Sequence, residues 1–244
     1  CFWSVAGSCL QSTSCVAEGA MPRHARGFDT DAAHAHLVRG DRKLGAWMKK
    51  LGPILPDPRW RRSFDPVDAL ARAILYQQLS GKAAATIVSR VEAAIASDRF
   101  HCDTLARCDD ATIRACGVSG NKLLALRDLA LRESRGEIPS LRQMSTLDND
   151  AIIAALIPVR GIGRWTVEMM LMFRLGRPDV LPVDDLGVRK GAQVVDRSPE
   201  MPAPKALIER GERWGPYRTY ASLYLWRIAD ANSQQKVPVK RSQE

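Results

Sequence analysis

The chemistry this sequence could perform centres on two carboxylates and a glycine turn. Asp184 and Asp185 follow Pro182-Val183 and stand before a helical pattern that begins at Leu186 and runs through Val188 and Val194. An aspartate in this position caps a helix, because its side-chain oxygen accepts N–H groups that the first turn leaves unpaired. One aspartate suffices for the cap, so the other is a carboxylate held at a helix start. Upstream, Gly161-Ile162-Gly163 separates two further helical patterns. Ala151, Ile152, Ala155 and Leu156 form the first, and Trp165, Met169, Met172 and Phe173 the second. Glycines let the chain reverse between helices. The turn leaves the N–H groups of Gly161, Gly163 and Arg164 free at the start of the second helix. With the helix dipole they make an anion site, and the carboxylate pair lies close to it. Read alone, the same turn serves equally as a plain helix–helix connection.

The anion that suits this chain is a nucleic-acid phosphate. Among 244 residues there are 36 Lys plus Arg against 27 Asp plus Glu, a net charge of +9. Such an imbalance favours a polyanionic partner. Apolar residues make up 45%, enough for a proper core in one large domain or two small ones. No apolar run approaches the roughly 20 residues of a membrane span. The six cysteines, at 1, 9, 15, 102, 108 and 116, show no Cys-x-x-Cys spacing, which argues against a zinc site. Their scatter in a chain of this length reads as cytosolic thiols rather than a disulfide framework.

The elements that must position these groups are helical throughout, with no strand pattern. Residues 1–20 differ in composition from the rest, and Met21-Pro22-Arg23 reads as a natural start. Residues 1–28 are therefore expected to be a disordered or non-native extension. Residues 29–51 predict one or two helices, the first capped by Asp29 or Thr30, with His34 and His36 solvated. Trp60 and Phe64 pack around a proline-marked loop. Asp65-Pro66 opens a helix whose apolar face runs through Leu70, Ala73 and Ile74 and stops near Gln77-Gln78, and Ser80 caps the next, to about Ala96. Gly117 ends one short helix and Ser119 starts another. There Leu123, Leu126, Leu129 and Ala130 form a core stripe, while Lys122, Arg127, Arg132 and Arg135 form a solvated face. Residues 136–147 predict a linker, and Leu147-Asp-Asn-Asp150 caps the first hairpin helix. A last helical block runs from Pro216 to Ala229 with Tyr217, Tyr220, Tyr224 and Trp226, an aromatic set of the kind that usually packs in a core. Residues 232–244 predict a disordered basic tail.

Three blocks in colinear order resemble the helix-hairpin-helix (HhH-GPD) DNA glycosylases, and within them the 3-methyladenine DNA glycosylase II branch. They are Arg72-Ala-Ile-Leu-Tyr-Gln-Gln-Leu-Ser80, the stretch from Gly161-Ile-Gly-Arg-Trp165 to Pro182-Val-Asp-Asp185, and Trp214-Gly-Pro-Tyr-Arg-Thr-Tyr-Ala-Ser-Leu-Tyr-Leu-Trp226. The interval from Gly161 to Asp185 is 185 − 161 = 24 residues, the spacing of hairpin and essential aspartate in that family. The resemblance covers roughly Asp65 to Ile228. It implies an all-α fold with two helical subdomains flanking a cleft, spanning residues 29–231, in a compact form without the family's β-rich N-terminal domain.

The resemblance also implies a reaction. A base in duplex DNA must leave the stack to be processed. Glycoside hydrolysis ordinarily uses two carboxyl groups, but an alkylated purine such as 3-methyladenine or 7-methylguanine already carries positive charge. It departs without a general acid, so one carboxylate suffices. Asp185 is the catalytic candidate and Asp184 the cap or a neighbour. Trp165, Met169 and Trp226 are the expected base pocket. Met169 stands where the family is usually aromatic. Trp165 occupies the position of the Schiff-base lysine of strand-cutting relatives, which implies a monofunctional enzyme leaving an abasic site. Gln78 aligns with the wedge that fills the gap in the duplex. Gly161, Gly163, Arg164 and Arg160, the last replacing a common proline, are expected at the phosphate. The carbonyls of Ile157, Val159 and Ile162 would hold a monovalent cation. No cysteine follows Cys116, so no iron–sulfur cluster is expected.

The expected partner is double-stranded DNA with alkylated bases, and the expected state a cytoplasmic monomer, associated with the nucleoid if bacterial. Two rivals remain at this stage. One is a helix-hairpin-helix glycosylase for uracil or a deaminated purine, which would need more leaving-group assistance. The other is a non-catalytic DNA-binding module, which would need no placed acid.

Overall fold

The computed structural model describes residues 24–235, and the expectations for residues 1–23 and 236–244 lie outside them. The described residues form thirteen α-helices, two short 3-10 turns and no strand. The helices are α1 (Thr30–Gly40), α2 (Arg42–Leu51), α3 (Pro66–Tyr76), α4 (Gly81–Ile95), α5 (Cys102–Leu105), α6 (Asp110–Ala115) and α7 (Gly120–Ser134). They continue with α8 (Leu141–Met144), α9 (Asn149–Leu156), α10 (Arg164–Phe173), α11 (Leu186–Asp196), α12 (Pro204–Gly211) and α13 (Arg218–Gln235).

Most boundaries follow from caps visible in the sequence. Asp29 accepts the Asp31 and Ala32 N–H groups, Asp65 those of Val67 and Asp68, Ser80 that of Ala83 and Ser119 that of Lys122. Two cores result. The first is continuous in sequence, from Val67 to Val180, and gathers α3 to α10 around residues such as Leu70, Ile74, Leu126, Leu156 and Leu171. The second joins the two ends of the described chain: Leu37, Leu44 and Met48 from α1 and α2 pack with Val188, Leu207, Tyr220, Tyr224 and Ile228 from α11 to α13. Gly191 makes this junction possible, since a Cβ there would lie 2.1 Å from the Leu225 carbonyl oxygen. Phe173 packs on the first core, Val183 on the second and Trp226 on both.

Several expectations are corrected. Residues 24–28 belong to the fold. His24 N–H donates to the Ser145 carbonyl at 2.7 Å, Arg26 donates to the carbonyls of Arg62 and Arg174, and the Phe28 ring lies 4.7 Å from that of Trp60. Gly176 admits this strap, because a Cβ on it would sit 2.5 Å from Gly27 N. The linker over 136–147 contains α8, capped by Ser140. The last helix continues to Gln235, beyond the expected start of the tail. His34 and His36 are half-buried against tyrosines: His34 Nδ1 is 3.2 Å from Tyr224 Oη, and the His36 ring is 5.5 Å from that of Tyr217. Two of the four basic residues expected on a solvated face are tied to neighbouring elements, Lys122 to the Leu75 carbonyl at 2.7 Å and Arg127 to the carbonyls of Leu105 and Cys108, whereas Arg135 is exposed.

Candidate active site

Asp185 is itself the N-cap of α11, and Asp184 is an exposed neighbour. Of the two places expected for Asp184, the cap or a neighbour, it takes the second, and Asp185 carries the cap as well as the candidate charge. The Asp185 carboxylate accepts three hydrogen bonds, each 2.8 Å long. Val188 N–H and Trp226 Nε1 donate to Oδ1, and Trp165 Nε1 donates to Oδ2. All three donors are neutral. Among the described residues no Lys, Arg or His nitrogen lies within the 4.0 Å of an ion pair with Asp185. The negative charge is thus oriented without being neutralised within the protein.

The two indoles arrive on helices that belong to different cores, α10 to the first and α13 to the second. Trp165 stands on α10, exposed at 48%, in the first turn after the hairpin. Trp226 comes from α13 and stacks on Phe173, with ring centroids 5.8 Å apart and planes 24° apart. Gly187 lets Trp226 approach, because a Cβ there would lie 2.7 Å from Trp226 Cδ1 and 3.1 Å from Asp185 Oδ1.

A cleft of about 700 Å³ is lined by Trp165, the donor to Asp185 Oδ2, whereas Asp185 itself is not among its lining residues. Trp165, Met169 and Phe173 form one wall. They are spaced i, i+4 and i+8 on α10 and therefore share a face. Gly161 and Gly163 of the hairpin and Gln77 and Gln78 of the loop after α3 close the opposite rim. Of the three expected pocket residues, Trp165 and Met169 line the cleft, whereas Trp226 lies one layer back, behind Phe173 and against Asp185. Phe173 is the wall residue missed by sequence reasoning, and its spacing from Trp165 and Met169 was the signal for it.

In the hairpin, Gly161 adopts φ +78 and faces the Ala125 side chain, where a Cβ would have a 3.3 Å contact. The N–H groups of Gly161, Gly163 and Arg164 find no acceptor among the described residues, as the anion-site reading requires. The Arg160 N–H does not join them, since it donates to Asp128 Oδ2 at 2.8 Å. The Arg160 side chain stays at the exposed turn. Arg164 meets the hairpin side through its backbone only. Its guanidinium turns away to Glu168 at 3.0 Å and lines a separate cavity of about 470 Å³ with Asp179 and Arg218. Burial pushes the Glu168 carboxyl above its ordinary range, with Arg164 pulling the other way.

Two carbonyls proposed for a cation, those of Ile157 and Ile162, accept no hydrogen bond from the described residues, and that of Val159 accepts the Ile162 N–H at 3.0 Å. Gln78 sits at φ +56, a left-handed conformation that non-glycine residues rarely adopt, and is exposed. Sequence reasoning missed Gln77, whose Nε2 donates to the Gly161 carbonyl at 2.8 Å.

Comparison with known proteins agrees with this architecture. Residues 71–216 match the HhH-GPD superfamily base excision DNA repair protein family. The chain is 35% identical over 198 residues to DNA-3-methyladenine glycosylase 1 of Schizosaccharomyces pombe, covering 81% of this chain and 86% of that protein. The structure of a Schizosaccharomyces pombe 3-methyladenine DNA glycosylase in complex with abasic DNA superposes with a TM-score of 0.69 at 34% identity, covering 80% of this chain and 95% of the other. A DNA-3-methyladenine glycosidase from Bacillus halodurans superposes with a TM-score of 0.76 at 32% identity, covering 85% and 94% respectively. By its matched residues and by its hairpin, cleft and aspartate, the chain belongs to the HhH-GPD superfamily of base excision DNA repair proteins.

Proposed function

We propose that the protein is a monofunctional DNA glycosylase that hydrolyses the N-glycosidic bond of alkylated purines extruded from duplex DNA, leaving an abasic site. The observation that carries this reading is the Asp185 carboxylate, bonded by one backbone N–H and two indole N–H groups, one of them from Trp165 in the cleft wall, with no cationic partner among the described residues. Such a charge is free to stabilise the oxocarbenium-like sugar and to orient water. The exposed indole of Trp165 offers a π face to a cationic base, an attraction of roughly 0.5 to 2 kcal/mol. No second placed acid is required, because a positively charged purine leaves unaided. Trp165 has no amine for a Schiff base, which supports hydrolysis without strand cleavage.

In this reading the N–H groups of Gly161, Gly163 and Arg164 grip a phosphate, with the Arg160 side chain beside it, and Gln78 enters the duplex as the base leaves. The carbonyls of Ile157, Val159 and Ile162 offer oxygen ligands suited to a monovalent cation bracing the turn. The reading needs no redox cofactor, since hydrolysis involves no net oxidation or reduction. The protein acts as a monomer on double-stranded DNA in the cytoplasm, at the nucleoid if bacterial. No helix among the described residues is long and apolar enough to cross a membrane.

The test is release of free base from methylated duplex DNA by the natural protein and by Asp185→Asn. Release of 3-methyladenine by the former, and its loss in the variant with DNA binding retained, is the expected result. DNA binding by both without release of methylated bases overturns the reading. Duplexes containing uracil or hypoxanthine would then separate another lesion from a binding module.

A further inference from the structure

The loop carrying Gln78 has little of its own to hold it. The Gln77 N–H donates to the Ile74 carbonyl and the Leu79 N–H to the Tyr76 carbonyl, each stretched to 3.4 Å, while the Ser80 carbonyl, at the cap of α4, accepts the Ala84 N–H at 3.0 Å. Gln78 itself occupies an unfavourable backbone region, and Gln78, Leu79 and Ser80 are exposed. The shortest hydrogen bond made by the loop is the 2.8 Å contact from Gln77 Nε2 to the Gly161 carbonyl, 84 residues away. The peptide that receives it is fixed at its other end, where the Ile162 N–H donates to the Val159 carbonyl at 3.0 Å. That peptide stands between the free N–H groups of Gly161 and Gly163. Both partners also rest on α7. Lys122 Nζ donates to the Leu75 carbonyl at 2.7 Å, Asp128 accepts the Arg160 N–H at 2.8 Å, and Gly161 approaches Ala125.

We propose that Gln77 is a positioning residue, a latch that sets the distance between the wedge loop and the phosphate-gripping turn. Gripping a phosphate thereby places Gln78 at a defined depth in the base stack. This rests on the glycosylase reading for Gln78 and the hairpin, but concerns a residue at the rim of the cleft whose amide takes no part in breaking the bond. A glutamine suits the task because its amide donates to a carbonyl while remaining neutral beside DNA.

The test compares the natural protein with Gln77→Met, which keeps length and removes the donor, and Gln78→Ala as the wedge control. The first readout is 2-aminopurine fluorescence opposite a tetrahydrofuran abasic analogue in duplex DNA. The natural protein should change the signal on binding, whereas both variants should bind with most of that change lost. The second readout is single-turnover release of 3-methyladenine from a fully paired duplex and from one whose lesion faces a one-nucleotide gap. Gln77→Met should be slowed about tenfold on the paired substrate, the worth of one ordinary hydrogen bond, and hardly at all on the gapped one, where the base is already loosened. A natural-like fluorescence change in Gln77→Met, or equal slowing on both substrates, overturns the latch, as does absence of any change with the natural protein. Absence of base release with the fluorescence pattern intact overturns the glycosylase reading and leaves the latch standing. If Gln77→Met does not fold, Gln77→Asn, too short to reach Gly161, takes its place.

Discussion

Asp41 and Asp185 begin alike and end in opposite roles. Each is an N-cap, Asp41 of α2 and Asp185 of α11, and each accepts an indole N–H at 2.8 Å, from Trp214 in one case and from Trp165 and Trp226 in the other. The difference lies in what neutralises them. Asp41 is 3% exposed and paired with Arg210, which also binds Asp196 at 2.9 Å. Asp185 has only neutral donors among the described residues, one of which, Trp165, lines the cleft. A buried charge is tolerable when an opposite charge accompanies it. A charge meant for a substrate must be held in place yet left uncompensated until the substrate arrives.

The comparison can be broken first by exchanging the effects of one substitution. Asp185→Asn should lower single-turnover base release about 10³-fold, while its thermal midpoint changes little because asparagine also caps helices. Asp41→Asn should do the reverse, costing about 2 kcal/mol, the worth of a charged hydrogen bond, since Arg210 keeps Asp196, and leaving the turnover of the folded fraction unaltered. Equal losses of activity in the two variants would remove the distinction.

A smaller effect tests how finely the Asp185 side is built. Gly187→Ala puts a methyl against Trp226 and the carboxylate, so release should fall about a hundredfold, the scale of an ångström's misplacement. Thermal stability should be close to natural. Smaller again, Trp226→Phe keeps a ring and deletes a donor to the carboxylate, and should cost about tenfold in release.

The smallest effect belongs to the structural partner. Burial pushes the Asp41 carboxyl up, but Arg210, Trp214 and the Leu44 N–H together bring it below its ordinary value of 3.8. A lowered carboxyl stabilises the fold above the ordinary value and loses that contribution as pH falls through the folded one. The thermal midpoint should therefore stay nearly level between about pH 5 and pH 7 and drop below about pH 4, with a shallower drop in Asp41→Asn.

Much of this was legible in the residues. Caps at Asp65, Ser80 and Ser119 marked helix starts because an unpaired N–H needs a local acceptor, and the acceptor is written within three residues of it. The hairpin glycines were legible for a similar reason, since φ +78 at Gly161 is a demand of one residue on itself. Residues 24–28 were not legible. Their place depends on Trp60, Arg174 and Tyr217, distant in sequence and without periodic signature. Gln77, with Gln78, read as a polar helix tip facing a cleft, but its bond to the hairpin was not legible, because nothing local reveals that Gly161 faces it.

The residues alone revealed most of the helices and their caps, though not α8 or α12, together with the hairpin turn and an aspartate at a helix start, all governed by interactions that reach about one helical turn. Only the tertiary structure decided that Asp185 rather than Asp184 takes the cap, that indoles from α10 and α13 converge on it, and that Phe173 rather than Trp226 walls the cleft. It also decided that one capping aspartate receives an arginine and another does not. Those outcomes depend on how the two cores meet, and the meeting of cores is set by packing between residues far apart in the chain.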